Sequence, residues 1–199
     1  MSYVFTPPEV PSVSVMGTTD RFPVRRIFCI GRNYAKHALE MGGDPSREPP
    51  FYFSKPADAI FNASPVDDAR LPYPPQTQNV HHEIELAVAL KAGGAEMSAS
   101  AAWDAIFGYA SSVDLTRRDL QSAAKERGRP WASAKGFDHS APIGSIHPVA
   151  SVGHFTDQRI WLSVDGEMRQ DARLNEMIWD VPALIVHISR SVRLSAGDV

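Results

Sequence analysis

The stretch His81-His82-Glu83-Ile84-Glu85-Leu86-Ala87-Val88-Ala89-Leu90 holds the residues whose types and spacing can do chemistry. As a strand of period two it puts Ile84, Leu86, Val88 and Leu90 on one face and His81, Glu83 and Glu85 on the other. Two carboxylates then point the same way, roughly 7 Å apart along the strand. A divalent cation between them would relieve their repulsion. The same alternation is also what the wet face of a half-exposed antiparallel strand gives, so this stretch alone does not decide. Asp114 adds a third carboxylate at the end of the apolar run from Ala105 to Val113. Three acids buried without compensation are costly, and a hard cation such as Mg²⁺ prefers oxygen ligands, so the trio implies a metal. Read in isolation, Asp114 is equally a helix-entry residue.

Other polar groups are candidates of the same open kind. His37 can act as a general base, and Glu40, three residues on, can orient its imidazole from the same helix face. A solvated surface pair has the same spacing. Lys135, Arg118 and Gln121 complete the set, although a helix with one wet face accounts for the last two and ordinary surface accounts for a lone lysine.

These residues need elements to position them. Val24 to Ile30 reads as a strand broken by Gly31, and Asn33 to Met41 as a short helix ending at Gly42-Gly43. Three prolines between Asp44 and Pro50 leave that helix on two flexible attachments, so residues 31–50 can move as a lid and are expected to be mobile without ligand. Phe51 to Pro56 is a further short strand, and residues 62–79, with four prolines, are loop. A helix begins near Ala99 or Ser100, followed by the buried strand from Ala105 to Val113. Thr116 and Asp119 fit a capping pattern for a helix from about Arg117 to Arg127, stopped by Gly128. Trp131 to Phe137 is too short for a stable helix, which places Lys135 on a strand or loop. Asp165-Gly166 joins Arg159–Val164 to Glu167–Gln170 as a hairpin, and Asp180 opens a helix running to about Ser191.

Length and composition set the frame. At 199 residues the chain suits one large domain with a real core. We divide it into an N-terminal arm, residues 1–20, rich in Pro, Ser, Thr and Val, and a body, residues 21–199. A net charge of −3 offers no field for a phosphate backbone, which makes nucleic acid a poor partner. The single cysteine, Cys29, sits in an apolar run and has no partner in the chain. No segment has the length of apolar sequence that crosses a bilayer, and no signal-like start is present. The protein therefore reads as soluble and cytoplasmic, with no membrane partner.

Taken in order, several segments resemble the fumarylacetoacetate hydrolase family: Cys29-Ile30-Gly31-Arg32-Asn33-Tyr34-Ala35-Lys36-His37, then Phe53-Ser54-Lys55-Pro56, then His81 to Leu86. Gly108-Tyr109-Ala110, Asp114-Leu115-Thr116-Arg117-Arg118-Asp119 and Trp131 to Phe137 continue the match. The opening Phe22-Pro23-Val24-Arg25-Arg26-Ile27 and the long Asp44 to Pro50 insert are most similar to the family's bacterial fumarylpyruvate-hydrolysing branch in gentisate breakdown. The resemblance implies a mainly β fold with short helices (α+β), a twisted mixed-sheet roll that commonly forms homodimers. It implies Glu83, Glu85 and Asp114 as ligands of Mg²⁺ or Mn²⁺, His37 and Glu40 as the lid dyad that deprotonates water, and Lys135 as a catalytic cation that neutralises an enolate. Arg118 and Gln121 match positions near the substrate. The implied reaction is hydrolysis of a carbon–carbon bond in a diketo acid, an acylpyruvate such as fumarylpyruvate, to fumarate and pyruvate.

Two alternatives stand beside it. One is oxaloacetate decarboxylation or hydroxymuconate-type isomerisation on the same metal platform. The other is a shortened, inactive homologue that serves as a binding or dimerising module. Family members continue past the Gly197-Asp198 turn into a Thr-Gly-Thr-Pro segment, whereas this sequence ends at Val199. A shortened protein is expected to lack sheet partners and part of its pocket.

Overall fold

The structure is a computed structural model that describes residues 2–34, 49–63 and 69–199. The expected helix carrying His37 and Glu40, and the mobility expected of residues 31–50, fall largely outside the described residues. In chain order the strands are β1 (Ser12–Ser14), β2 (Arg21–Pro23), β3 (Ile27–Gly31), β4 (Phe51–Lys55), β5 (Ile60–Asn62), β6 (Val80–His81), β7 (Ile84–Leu90), β8 (Ile106–Val113), β9 (Thr116–Arg117), β10 (Ala141–Ile143), β11 (His147–Pro148), β12 (Arg159–Val164) and β13 (Glu167–Arg173). The helices are α1 (Ala99–Ala105), α2 (Arg118–Glu126), α3 (Ala132–Lys135), α4 (Val149–Val152) and α5 (Val181–Ser191). This is the mostly β, short-helix α+β class that the sequence implies.

The central sheet runs β11-β8-β10-β5, with β7 paired to β8. It is mixed, because β10 pairs β5 in parallel and the other contacts are antiparallel. The expected alternation of β7 is present, but both of its faces pack. Leu86, Val88 and Leu90 meet the cluster built on Ile106, Tyr109, Val181, Ile185 and Ile188. Ala87 and Ala89 meet the other cluster, built on Val13, Phe22, Val24, Ile27 and Ile146. The face that carries Glu85 is therefore continued by two alanines against core rather than by solvated residues. Helix α5 covers the first cluster with Val181, Leu184, Ile185 and Ile188, the i, i+3, i+4, i+7 stripe of an amphipathic helix. Asp180 caps it, accepting from Ala183 N at 3.0 Å.

Three expectations are corrected. The stretch from His81 to Leu90 is two strands, because Val80–His81 pairs with β9 while Ile84–Leu90 pairs with β8, and Glu83 lies at the break between them. That first pairing draws Thr116 into a strand, so it does not cap α2; its hydroxyl donates to Asp114 O, and Asp119 instead accepts from Thr77 Oγ1 at 2.6 Å. Lys135 stands on the single helical turn α3, not on a strand or loop. Tertiary bonds hold that turn, since Trp131 O accepts from both Ala134 N and Lys135 N, and Lys135 O accepts from Ser140 Oγ and Lys55 Nζ.

The chain end is built into the sheet scaffold. Gly197, at φ +91, and Asp198 lie together opposite Leu90, with Gly197 N donating to Leu90 O and Leu90 N donating to Asp198 O. This is a bulge that requires glycine at its first position. Val199 N then donates to Arg26 O, just before β3, and Val199 O accepts from Phe28 N on β3. Asp198 is fully buried, and its carboxylate accepts from Arg25, from Arg26 and from Ser195 N. Arg25 and Arg26 are partly solvated, which lowers the worth of the pair below that of a fully buried one. Replacing Asp198 by Ala is expected to cost about 2 kcal/mol by stranding these donors. An unchanged urea midpoint would show that they find water instead.

Candidate functional site

A cavity of about 840 Å³ opens between β3, β4, β7, the end of β8, and the β12–β13 hairpin. Its lining includes Glu83, Glu85, Asp114, Arg118, Gln121 and Lys135, so all six described candidates meet in one place. The elements explain why. Asp114 follows the last residue of β8, and its N–H donates to Glu83 O at 2.8 Å, which ties the two acidic positions together through the backbone. Arg118 and Gln121 occupy one face of α2, three residues apart, and Arg118 donates to Gln121 Oε1 at 2.6 Å. His37 and Glu40 lie outside the described residues.

The acids are bridged by cations. Lys135 Nζ donates to Glu83 Oε2 at 2.7 Å and to Asp114 Oδ2 at 2.6 Å, and Arg118 donates to Glu83 Oε1. Lys55, 3 % exposed, stands 2.9 Å from Asp114 Oδ1 and donates to Leu115 O. Burial works against ionised Glu83, yet the charges and hydrogen bonds of Lys135 and Arg118 outweigh it and hold its carboxyl below the usual range. Burial lowers the Lys55 ammonium, only partly offset by Asp114.

Glu85 is different. It has no hydrogen bond or ion pair among the described residues. Its side chain is exposed to the cavity rather than to bulk water, and the desolvation by the surrounding protein, with the like charges of Asp114 and Glu83, pushes its carboxyl up to about 8. Cys29 and Tyr34, on the same cavity wall, are each raised to about 12, by burial first and then by Asp114 for the thiol and Glu85 for the phenol.

The sequence reading left some of these participants without a role. Lys55 was part of a matched motif, and its signal was the alternation Phe51, Phe53, Lys55, which puts all three on one face of β4. Trp131 meets both phenylalanines edge-on, with centroids 5.6 and 5.7 Å away.

Comparison with known proteins gives this cavity a context. The model of the fumarylacetoacetate (FAA) hydrolase C-terminal region matches residues 26–199. The chain belongs to the fumarylacetoacetate hydrolase family. A crystal structure of fumarylpyruvate hydrolase from Pseudomonas aeruginosa in complex with Mn²⁺ and pyruvate is 46 % identical, with a TM-score of 0.97 over 99 % of this chain and 84 % of that one. An Arabidopsis thaliana oxaloacetate tautomerase, mitochondrial, is 40 % identical over 174 residues, 87 % of this chain and 76 % of that protein. A Dictyostelium discoideum oxaloacetate decarboxylase, mitochondrial, is 36 % identical over 177 residues, 88 % of this chain and 78 % of that protein. The chain is thus an enzyme of this family, with both hydrolases and oxaloacetate enzymes among its relatives. Among the described residues, no helix is long and apolar enough to cross a membrane.

The family site fits a hard cation in its donor chemistry. Asp114 Oδ1 is buried with the Lys55 ammonium 2.9 Å away, and Glu85 adds a carboxylate with no hydrogen bond or ion pair among the described residues, both oxygen donors of the kind Mg²⁺ and Mn²⁺ take. Among the described residues, no three His, Cys, Asp or Glu side chains form a ready metal cluster. Glu83 and Asp114 converge on the ammonium of Lys135 instead.

The raised carboxyl of Glu85 makes a stability prediction for protein held in chelator. Between its ordinary 4.5 and about 8 the folded state keeps a proton that the unfolded chain releases, so its contribution is present at low pH and is lost as pH rises through that window. Glu85→Gln removes the loss. Its melting midpoint relative to the unmodified protein is expected to climb from about pH 5 to about pH 8, and a constant difference across that range would contradict the shift.

Proposed function

We propose that the protein hydrolyses a carbon–carbon bond in an acylpyruvate, with fumarylpyruvate as the substrate and fumarate and pyruvate as products. The observation that carries this reading is Lys135, whose ammonium stands between Glu83 and Asp114 at the floor of a cavity large enough for a diketo acid. The 46 % identical Pseudomonas aeruginosa enzyme, crystallised with Mn²⁺ and pyruvate, supports the same assignment.

Glu83, Glu85 and Asp114 would hold the divalent cation, Mg²⁺ or Mn²⁺. When bound, that ion supplies Lewis-acid stabilisation of the charge that develops on the 1,2-dicarbonyl end of the substrate. The chain's own groups do the rest. Arg118, which donates to both Gln121 and Glu83, and Gln121 orient the substrate's carboxylate end. His37, oriented by Glu40, takes a proton from water as it adds to the acyl carbonyl. The carbon–carbon bond then breaks, its electron pair leaves as the pyruvate enolate, and the acyl fragment departs as a carboxylic acid. Lys135 neutralises the enolate until carbon is protonated, which suits a buried cation aimed at the place where negative charge appears.

The oxaloacetate readings share this floor, and the Dictyostelium discoideum and Arabidopsis thaliana relatives favour them. They need no attacking water. Pyruvate release from fumarylpyruvate and from oxaloacetate, with enol–keto conversion of oxaloacetate followed by absorbance, all with Mn²⁺ present, separates the two, and turnover of oxaloacetate alone would sink the hydrolytic reading. His37→Ala is expected to lower fumarylpyruvate hydrolysis at least about 100-fold, while Mn²⁺ binding by calorimetry persists. Hydrolysis at the unmodified rate would remove His37 from the role of base.

A further inference from the structure

We propose that Phe51, Phe53 and Trp131 form an acyl-chain subsite, a rigid aromatic wall that takes a flat, conjugated acyl group and so selects longer acylpyruvates over short keto acids. The inference rests on the acylpyruvate reading and deepens it.

The wall arises from the pleat of β4. Phe51, Phe53 and Lys55 alternate on the face turned to the cavity, and their exposure falls from mouth to floor, from 38 % at Phe51 to 3 % at Lys55. The polar end of the site is at the floor, where Lys55 and Lys135 meet Asp114. Lys135 Nζ also lies 5.1 Å from the centre of the Phe53 ring, so the aromatic surface starts directly beside the group that handles the pyruvate end. From there Trp131 spans to Phe51, with ring planes at 64° to Phe53 and 84° to Phe51. Trp131 immediately precedes the turn that carries Lys135, so one short segment supplies both the cation and the middle of the wall.

Backbone geometry holds the outer ring in place. Gly31 pairs with Phe51 across β3 and β4, and a Cβ at Gly31 would collide with the Phe51 ring, so glycine is what lets that ring lie against β3. Edge-to-face packing fixes the rings while leaving apolar surface to the cavity. A ligand whose keto-acid end sits among the lysines and acids must send any further carbons along this surface. A conjugated acyl chain is flat enough to lie on it, and a terminal carboxylate would reach the wet mouth beside Phe51. Oxaloacetate has no acyl chain to place there.

The test is the ratio of kcat/KM for fumarylpyruvate over acetylpyruvate, measured with Mn²⁺ in the unmodified protein, in Trp131→Leu and in Phe51→Leu. The ratio is expected to fall about tenfold in Trp131→Leu and about threefold in Phe51→Leu, the scale of an aromatic contact. An equal loss on both substrates would make the rings packing elements, and an unchanged ratio would mean the chain lies elsewhere; either result overturns the subsite. If the unmodified protein hydrolyses neither substrate, the hydrolytic reading fails separately. The ratio is then read from calorimetric dissociation constants, where the same tenfold fall is expected and an unchanged ratio again overturns the wall.

Discussion

The arrangement depends on charge compensation in a confined space. Glu83, Glu85 and Asp114 lie close together among the acids that line the cavity, where ionisation unopposed is costly, because burial penalises charge far more than it penalises polarity. Among the described residues, cations from three different elements contact Glu83 and Asp114: Lys55 from β4, Arg118 from α2 and Lys135 from α3. Glu83 is held ionised by two of them. Glu85, with no cation paired to it among the described residues, resists ionisation instead. The site is therefore uneven by construction, and the unevenness has a use. The proposed binding of a divalent ion and then of a charged substrate would need some negative charge that the protein itself has not already cancelled.

That compensation needs a scaffold that brings distant positions within ångströms of one another. β7 and β8 supply it, since they are packed on both faces and offer little room for sliding. The break after β6 turns the chain at Glu83, and Asp114 N closes the gap by donating to Glu83 O. Lys55 then links the third part by bonding the backbone of both Leu115 and Lys135. A buried lysine that bonds two carbonyls and faces a carboxylate is thus as much a structural tie as a charge.

Much of this was legible in the sequence where local signals and tertiary packing agree. The Asp165-Gly166 hairpin, the Asp180-capped helix and the apolar strand ending before Asp114 all appear where residue pattern places them. The failures share one cause, contact with a partner that the sequence does not name. Thr116 and Asp119 have the spacing of a cap, but pairing with Val80–His81 takes Thr116 into a strand. Trp131 to Phe137 is too short to hold a helix by itself, yet Lys55 and Ser140 satisfy the carbonyl at its end and one turn survives. Alternation located Glu85, but only packing shows that its face continues as Ala87 and Ala89 against core.

The proposed subsite divides a substrate between a charged floor and an apolar wall in this chain. Every substrate named for these relatives presents a keto acid, and the lysines, Arg118 and the acids can serve that end whatever group is attached to it. Discrimination must then come from the part of the cavity that only the longer substrate reaches. In this chain that part is aromatic and is set by β4, an edge of the site far in sequence from Glu83, Glu85 and Asp114. Phe53 lies 5.1 Å from the Lys135 ammonium and Trp131 O holds the turn that carries it, so Phe51, the outer ring, is the part of the wall whose shape can change with least disturbance to the charges. On this reading, substrate choice and the chemistry at the keto-acid end fall to neighbouring but different residues of this chain.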